Sequence, residues 1–405
     1  MRLLICACAA LLMFLPSCVS LKESYRESRA EPVIVSKERL EKPQDPAAPA
    51  EKTEKTGIRG VLLRVLITKN STAVRITSAS EISVKAISSI PASLSMDIKS
   101  TATGFSVNNY TPATPEIELE SAGIISIDGK AYRGSVIVHK KEGRLWIINR
   151  VPMRDYLAGV VPCEVPPNWP EEALKAQAVA ARTFAIYNRM KNKIPEYDLD
   201  STVLSQVYKG VSVEHERTTR AVVSTEDEVL AYKGEIIQSF FHSNSGGKTA
   251  SSEEVWGGKF DYLTPVDDGY SRDGKHFVWK TDVETKKLSE MLSKNKISAG
   301  DIYDIQVYER TESGRAGLVK IYSGNGTFTV KGKDLRMWAG PDVIKSTRFD
   351  VKIKDGMAAF NGTGWGHGVG LSQESARKMA EEGVSYRQIL RNFYRGAEIK
   401  KARLE

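Results

Sequence analysis

Cysteine is scarce in this chain of 405 residues: of four, Cys6, Cys8 and Cys18 crowd the first eighteen positions and Cys163 stands alone in the body. A disulfide framework and a Cys-x-x-Cys metal site are thereby excluded. Histidine is equally sparse, five scattered residues without a His-Glu-x-x-His, which argues against a zinc centre. No block of five or six consecutive basic residues occurs, so the net charge of +8 reads as a diffuse preference for polyanions. Nucleic acid is not an expected partner. No internal repeat is visible, and the apolar run at the amino terminus is too short to cross a bilayer of about 30 Å. What is present is a globular composition, 41% hydrophobic and 27% charged, with length for two or three packed units and a cleft.

Met1-Arg2 precedes an apolar stretch from Leu3 to Phe14 and then Leu15-Pro16-Ser17-Cys18. A short basic start, an apolar core and a small residue before the cut describe an export signal over residues 1–17. Its ending resembles a bacterial lipoprotein signal, with Cys18 as the lipidation site, although Pro16 departs from the usual small residue. The expected location is therefore extracytoplasmic, lipid-anchored to a membrane of a bacterial cell envelope. From Leu21 to Thr56 the chain is dominated by Glu, Lys, Ala and Pro and buries no face, so residues 18–56 are expected to be a solvated tether.

Residues 57–150 alternate apolar and polar positions in VLLRVLI, AVRITSA, SVIVHK and LWIIN, with turn signals at Asp128-Gly129 and Glu142-Gly143. Period two and β-branched residues predict strands and a small β domain. The period changes at Pro170, where proline and two acids open a helix of about 20 residues. Six alanines between 173 and 185 imply that another element approaches this helix closely, and it is expected to be the central helix of the body. Residues 200–360 read as mixed strands and short helices, with hairpin cues at Tyr232-Lys233-Gly234 and Ser323-Gly324-Asn325-Gly326. After the loop GTGWGHGVG a helix is expected from about Ser372 to Glu382, and a second one opening with the capping-box pattern Ser385-x-x-Gln388. The fold class is α+β.

Chemistry points first to Glu164 in VVPCEVPPNW, a carboxylate among apolar residues and fenced by Pro162, Pro166 and Pro167. Proline on both sides predicts a rigid loop. An apolar setting disfavours the anion and raises the carboxyl toward a general acid; the competing reading is an exposed loop glutamate. His242-Ser243-Asn244-Ser245-Gly246-Gly247, Trp256-Gly257-Gly258 and Trp365-Gly366-His367-Gly368 combine glycine, aromatic and hydrogen-bonding residues as a carbohydrate cleft does. The glycine-dense loop lacks the Lys-Ser/Thr of a P-loop and the Rossmann spacing. A Cys163 nucleophile served by His242 or His367 is conceivable, but nothing local marks a thiolate.

The run VPMRDYLAGVVPCEVPPNWPEEALKAQAVAARTFAI, with QVYKG, FFHSNSGGKT, VWGG, GWGHGVGLSQESARKMAEEG and YRGAEI, resembles the stage II sporulation protein D family. The resemblance covers roughly Gly123 to Ile399. It divides the body into a small β domain at 57–122, a catalytic domain at 123–399 and a tail at 400–405. It implies a peptidoglycan lytic transglycosylase that cleaves the bond after N-acetylmuramic acid and leaves a 1,6-anhydro end, on strands stripped of stem peptides. It puts the catalytic glutamate on Glu164 and places Gln206, Tyr208, His242, Ser243, Ser245, His367 and Gln373 in or beside the cleft. Gln177 and Arg182 are expected to face the cleft or to brace the Glu164 loop. Some members carry a His and Cys zinc site before QVY; here DSTVLSQVYKG offers neither residue, so no metal and no cofactor are expected. The family also includes amidase enhancers, which makes a non-catalytic wall-binding activator of an N-acetylmuramoyl-L-alanine amidase the alternative.

Overall fold

Alternating residues turn the first part of the body into strands whose apolar faces share one core. The computed structural model describes Gly57 and residues 60–402; the export signal, Cys18, the tether and residues 403–405 lie outside the described residues. The strands are β1 (Leu62–Ser71), β2 (Ala73–Val84), β3 (Ser93–Ser100), β4 (Phe105–Val107), β5 (Glu116–Ser121), β6 (Ile125–Ile127), β7 (Lys130–Tyr132), β8 (Ser135–Lys141), β9 (Arg144–Pro152) and β10 (Leu199–Asp200). They form one sheet in the order β10-β1-β9-β8-β5-β2-β3-β4, with β6 joining β2 to β7. All neighbours run antiparallel except β1 and β10. Asp128-Gly129 and Glu142-Gly143 both take positive φ, 46° and 82° and then 53° and 74°, the geometry a two-residue hairpin turn needs.

The sheet runs across position 122, because β2 pairs with β5 at Ile82–Val84 and with β6 at Ile76–Ser78. Its inward residues, among them Val65, Ile76, Met96, Leu119, Val138 and Ile147, share a single buried cluster with two helices. Residues 57–122 are therefore packed as part of a sheet that ends beyond residue 198. An antiparallel sheet with one apolar face needs a cover, and the cover comes from the next stretch of chain.

That cover is α1 (Met153–Glu164) and α2 (Glu171–Lys191). Here the structure corrects the expected loop: Glu164 is the last residue of α1, and Pro162 lies inside the helix. Proline removes one hydrogen-bond donor, but close to the helix end, and the buried Tyr156, Leu157, Val160 and Val161 offset the loss. Pro166 and Pro167 then prevent continuation. Helix α2 buries Leu174, Ala178, Ala181 and Ala185 against the sheet cluster and Ala176, Val179 and Ala180 against a second cluster.

The second cluster holds Leu230 of β11 (Glu228–Tyr232), whose hairpin partner β12 (Glu235–Ile236) packs Ile236 on the first cluster; both follow α3 (Glu216–Ser224). It also holds β13 (Phe241–His242) and α4 (Ser252–Trp256). A third cluster lies between β14 (Val278–Glu284), α5 (Thr285–Lys294), β15 (Ile302–Arg310), β16 (Ala316–Ser323), β17 (Gly326–Lys331), α6 (Gly332–Ala339), β18 (Phe349–Lys354) and β19 (Met357–Thr363). The chain then returns to the second cluster through β20 (Leu371–Ser372), parallel to β13, and α7 (Gln373–Glu381). Helix α8 (Tyr386–Phe393) starts with the expected capping box, and β21 (Glu398–Lys401) pairs with β11.

Gly159 shows how tightly α1 is held: a Cβ there would lie 2.7 Å from the Tyr208 ring. Gly159→Ala is expected to lower stability by about 1–3 kcal/mol despite the better helix propensity of alanine. Gly258→Ala, where a Cβ meets nothing within 4 Å, serves as the control. Equal thermal midpoints for the two variants would remove the packing argument.

Candidate active site around Glu164

Three helices meet at Glu164. It ends α1, where the partial negative charge of the helix terminus disfavours a second negative charge. Protein surrounds the carboxyl on most sides while the residue keeps a partly exposed edge. Burial pushes the carboxyl up to about 7, held back by the Val207 N–H and the Gln373 side chain, which both favour the anion. Gln373 opens α7, and its Nε2 also donates to Gln177 Oε1 of α2 at 3.4 Å. Its two amide hydrogens thus link the Glu164 carboxyl to the central helix.

The QVY segment contributes its backbone to the site. Gln206 accepts from Tyr156 OH at 3.1 Å and Tyr208 OH donates to Asn149 Oδ1 at 2.8 Å, so both side chains point inward and fix the Val207 N–H between them. Arg182 is a brace elsewhere: buried, it donates to Glu228 O, Val222 O and Thr225 Oγ1, tying α2 to α3 and β11. Burial lowers its guanidinium to about 10.

His242 is also interior, and His367 is half-buried. His242 Nδ1 lies 3.1 Å from Val369 O, and burial holds the ring well below the ordinary histidine value. His367 Nδ1 accepts from Val369 N at 3.0 Å, and burial drives it down to about 3. Both rings are neutral at pH 7 and clasp the glycine loop to β13. Ser245 Oγ donates to the buried Asp268, which also accepts from Ser375. Beside them Arg315, fully buried, donates to Ser245 O at 2.7 Å and Lys248 O at 2.9 Å; Gly368 lies where any Cβ would collide with its guanidinium. Cys163 donates to Gly159 O, and burial raises its thiol, which disfavours a thiolate nucleophile.

Ser243 leads to residues that the sequence reading did not single out. Its Oγ is 3.2 Å from His276 Nδ1, and the same nitrogen is 2.6 Å from Glu374 Oε1. Asn244 Nδ2 donates to Glu374 Oε2 at 2.7 Å. Glu374 follows Gln373, so one helix N-terminus serves Glu164 and His276 together. The Glu374 position is 98 residues from His276, a separation no local pattern signals.

Because the folded protein keeps the Glu164 proton to a higher pH than the unfolded chain, wild type loses stability between about 4.5 and 7 as pH rises. Glu164→Gln removes this loss. Relative to wild type, the variant should gain about 3 kcal/mol between pH 4.5 and pH 8. Urea unfolding at both values checks this, and a difference that does not change with pH contradicts the raised carboxyl.

Residues 141–232 match the family described as Stage II sporulation protein, and residues 251–370 match a domain of unknown function (DUF8618). An uncharacterized protein of Brachyspira hyodysenteriae is 33% identical over 298 residues, which is 73% of this chain and 79% of that protein. The amidase enhancer of Bacillus subtilis is 31% identical over 322 residues, 68% of this chain but 45% of that longer protein. The stage II sporulation protein D of Bacillus subtilis is 31% identical over 270 residues, 63% of this chain and 76% of its own length. Glu164, Gln177, Gln206 and Tyr208 all fall inside the segment matched by the family, and this chain belongs to the stage II sporulation protein D family.

Proposed function

We propose that this protein is a cell-wall enzyme, a peptidoglycan lytic transglycosylase that cleaves the MurNAc-β-1,4-GlcNAc bond and leaves 1,6-anhydroMurNAc. Strands stripped of stem peptides are the proposed substrate, and a lipid on Cys18 the proposed anchor outside the cytoplasm. The observation that carries the reading is the Glu164 carboxyl, raised to about 7 and held by Val207 N–H and Gln373.

A group of that kind serves as acid and then as base. Protonated Glu164 gives its proton to the glycosidic oxygen as the C1–O bond breaks. The resulting carboxylate is stabilised by the Val207 N–H and the Gln373 amide, both of which favour the charged form. It then takes the proton from the sugar's own 6-hydroxyl as O6 attacks C1, so the proton is returned and no water is consumed. Hydrolytic glycosidases generally need two carboxylates because one must activate water. An intramolecular nucleophile removes that need.

Digestion of purified glycan strands, intact and peptide-stripped, followed by mass spectrometry tests the reaction. Wild type should yield 1,6-anhydro ends, and Glu164→Gln should lose them while still binding strands. Reducing ends would mean hydrolysis, and binding without cleavage by wild type would favour an amidase enhancer. Since the acid form starts the reaction, kcat/KM should fall about tenfold per pH unit above 7. Gln373→Leu removes a donor to the anion and should shift that limb to higher pH.

A further inference from the structure

We propose that His276 is a second substrate-binding residue, taking a polar substituent of the glycan through Nε2, with Glu374, the residue after Gln373, as the positioning residue beneath it. This rests on the reading that Glu164 acts on glycan. His276 Nδ1 is committed to Glu374 at 2.6 Å whatever the charge of the ring, so Nε2 is the nitrogen left for a ligand. Ser243 Oγ approaches the same Nδ1 at 3.2 Å, and Trp365 meets the ring edge-to-face at 4.5 Å between centroids. Its side chain stays 24% exposed, whereas His242 is only 4% exposed.

The support beneath it is built. Glu374 has only 5% of its side chain exposed, and Asn244 Nδ2, His276 N and His276 Nδ1 all approach its carboxylate. Gly274 lets the backbone lie against this carboxylate, since any Cβ there would overlap Glu374 Oε2 and Asn244 Nδ2. Burying a carboxylate carries a large desolvation cost, which these bonds offset while the imidazole is fixed. Trp365 is committed as well, with the Lys345 ammonium 4.6 Å from its ring centre. Recognition at His276 therefore falls to a polar atom, and its link to Gln373 runs through the adjacent Glu374.

The test measures binding of the full chain to peptide-stripped strands in a Glu164→Gln background, where no cleavage intervenes. Adding His276→Ala should weaken binding about 3- to 10-fold, the range of one lost hydrogen bond. His276→Gln, whose amide reaches the Nε2 position, should retain more affinity than His276→Asn, whose amide reaches only Nδ1. In the active protein KM should rise by the same factor with kcat within about twofold. For variants that fold poorly, the side-chain ¹⁵N signal of His276 in Glu164→Gln alone decides: Nε2 should shift when strands are added. Unchanged affinity with His276→Ala, a better Asn than Gln variant, or an unmoved Nε2 signal overturns the proposal. Binding that depends on His276 without anhydro products from wild type leaves the inference standing and removes the reaction; cleavage with independent binding does the reverse.

Discussion

Two-sided burial of α2 is the constraint on which the rest of the structure depends. Thirteen of its 21 residues are buried, and the faces that meet both layers are built largely from alanine. Small side chains let the sheet with α1 close in from one side and α7 with α8 from the other, at the density of a close-packed interior. The distance between α1 and α7 is thus set by the thickness of one alanine-faced helix. Glu164 from α1, Gln177 from α2 and Gln373 from α7 can share hydrogen bonds because that spacing is small and fixed.

Electrostatically, the region separates groups that are held neutral from groups that are held in place. Burial favours the protonated carboxyl at Glu164 and the neutral ring at His367, so one proton is retained and the other refused by the same lack of solvent. Arg182 and Arg315 each give hydrogens to two backbone carbonyls in the interior. A guanidinium suits that duty, with five donors in a fixed plane. Most motif residues near the site therefore act as scaffolding for a small number of exposed atoms.

Elements governed by local rules were legible in the sequence. Pro170 and the alanine pattern announce α2, Asp-Gly and Glu-Gly announce their hairpins, and Ser385 with Gln388 announces the α8 cap. Glu164 was legible as a carboxylate in apolar surroundings, but not as a helix terminus, because tertiary burial of α1 outweighs the local preference of Pro162. The continuity of the sheet past 122 depends on which strand edges meet, which strand alternation does not encode. In QVY the side chains were conspicuous while the backbone N–H of Val207 makes the contact, a role independent of residue type. His276 and Glu374 are joined only by the folding of the third cluster between them.

Arg315 bears on how such a protein could have been assembled in evolution. It lies within the segment 251–370, yet its guanidinium grips the carbonyls of Ser245 and Lys248, which precede that segment, while Gly368 near the segment's end makes room for it. A segment 251–370 without the arginine would leave the Ser245 and Lys248 carbonyls without this donor. One that kept the arginine on a foreign host would have buried a charge with nothing to receive its hydrogens. Exchange of residues 251–370 for those of a distant relative therefore requires an arginine at position 315 and a glycine at 368, or the Ser245 and Lys248 carbonyls lose this donor.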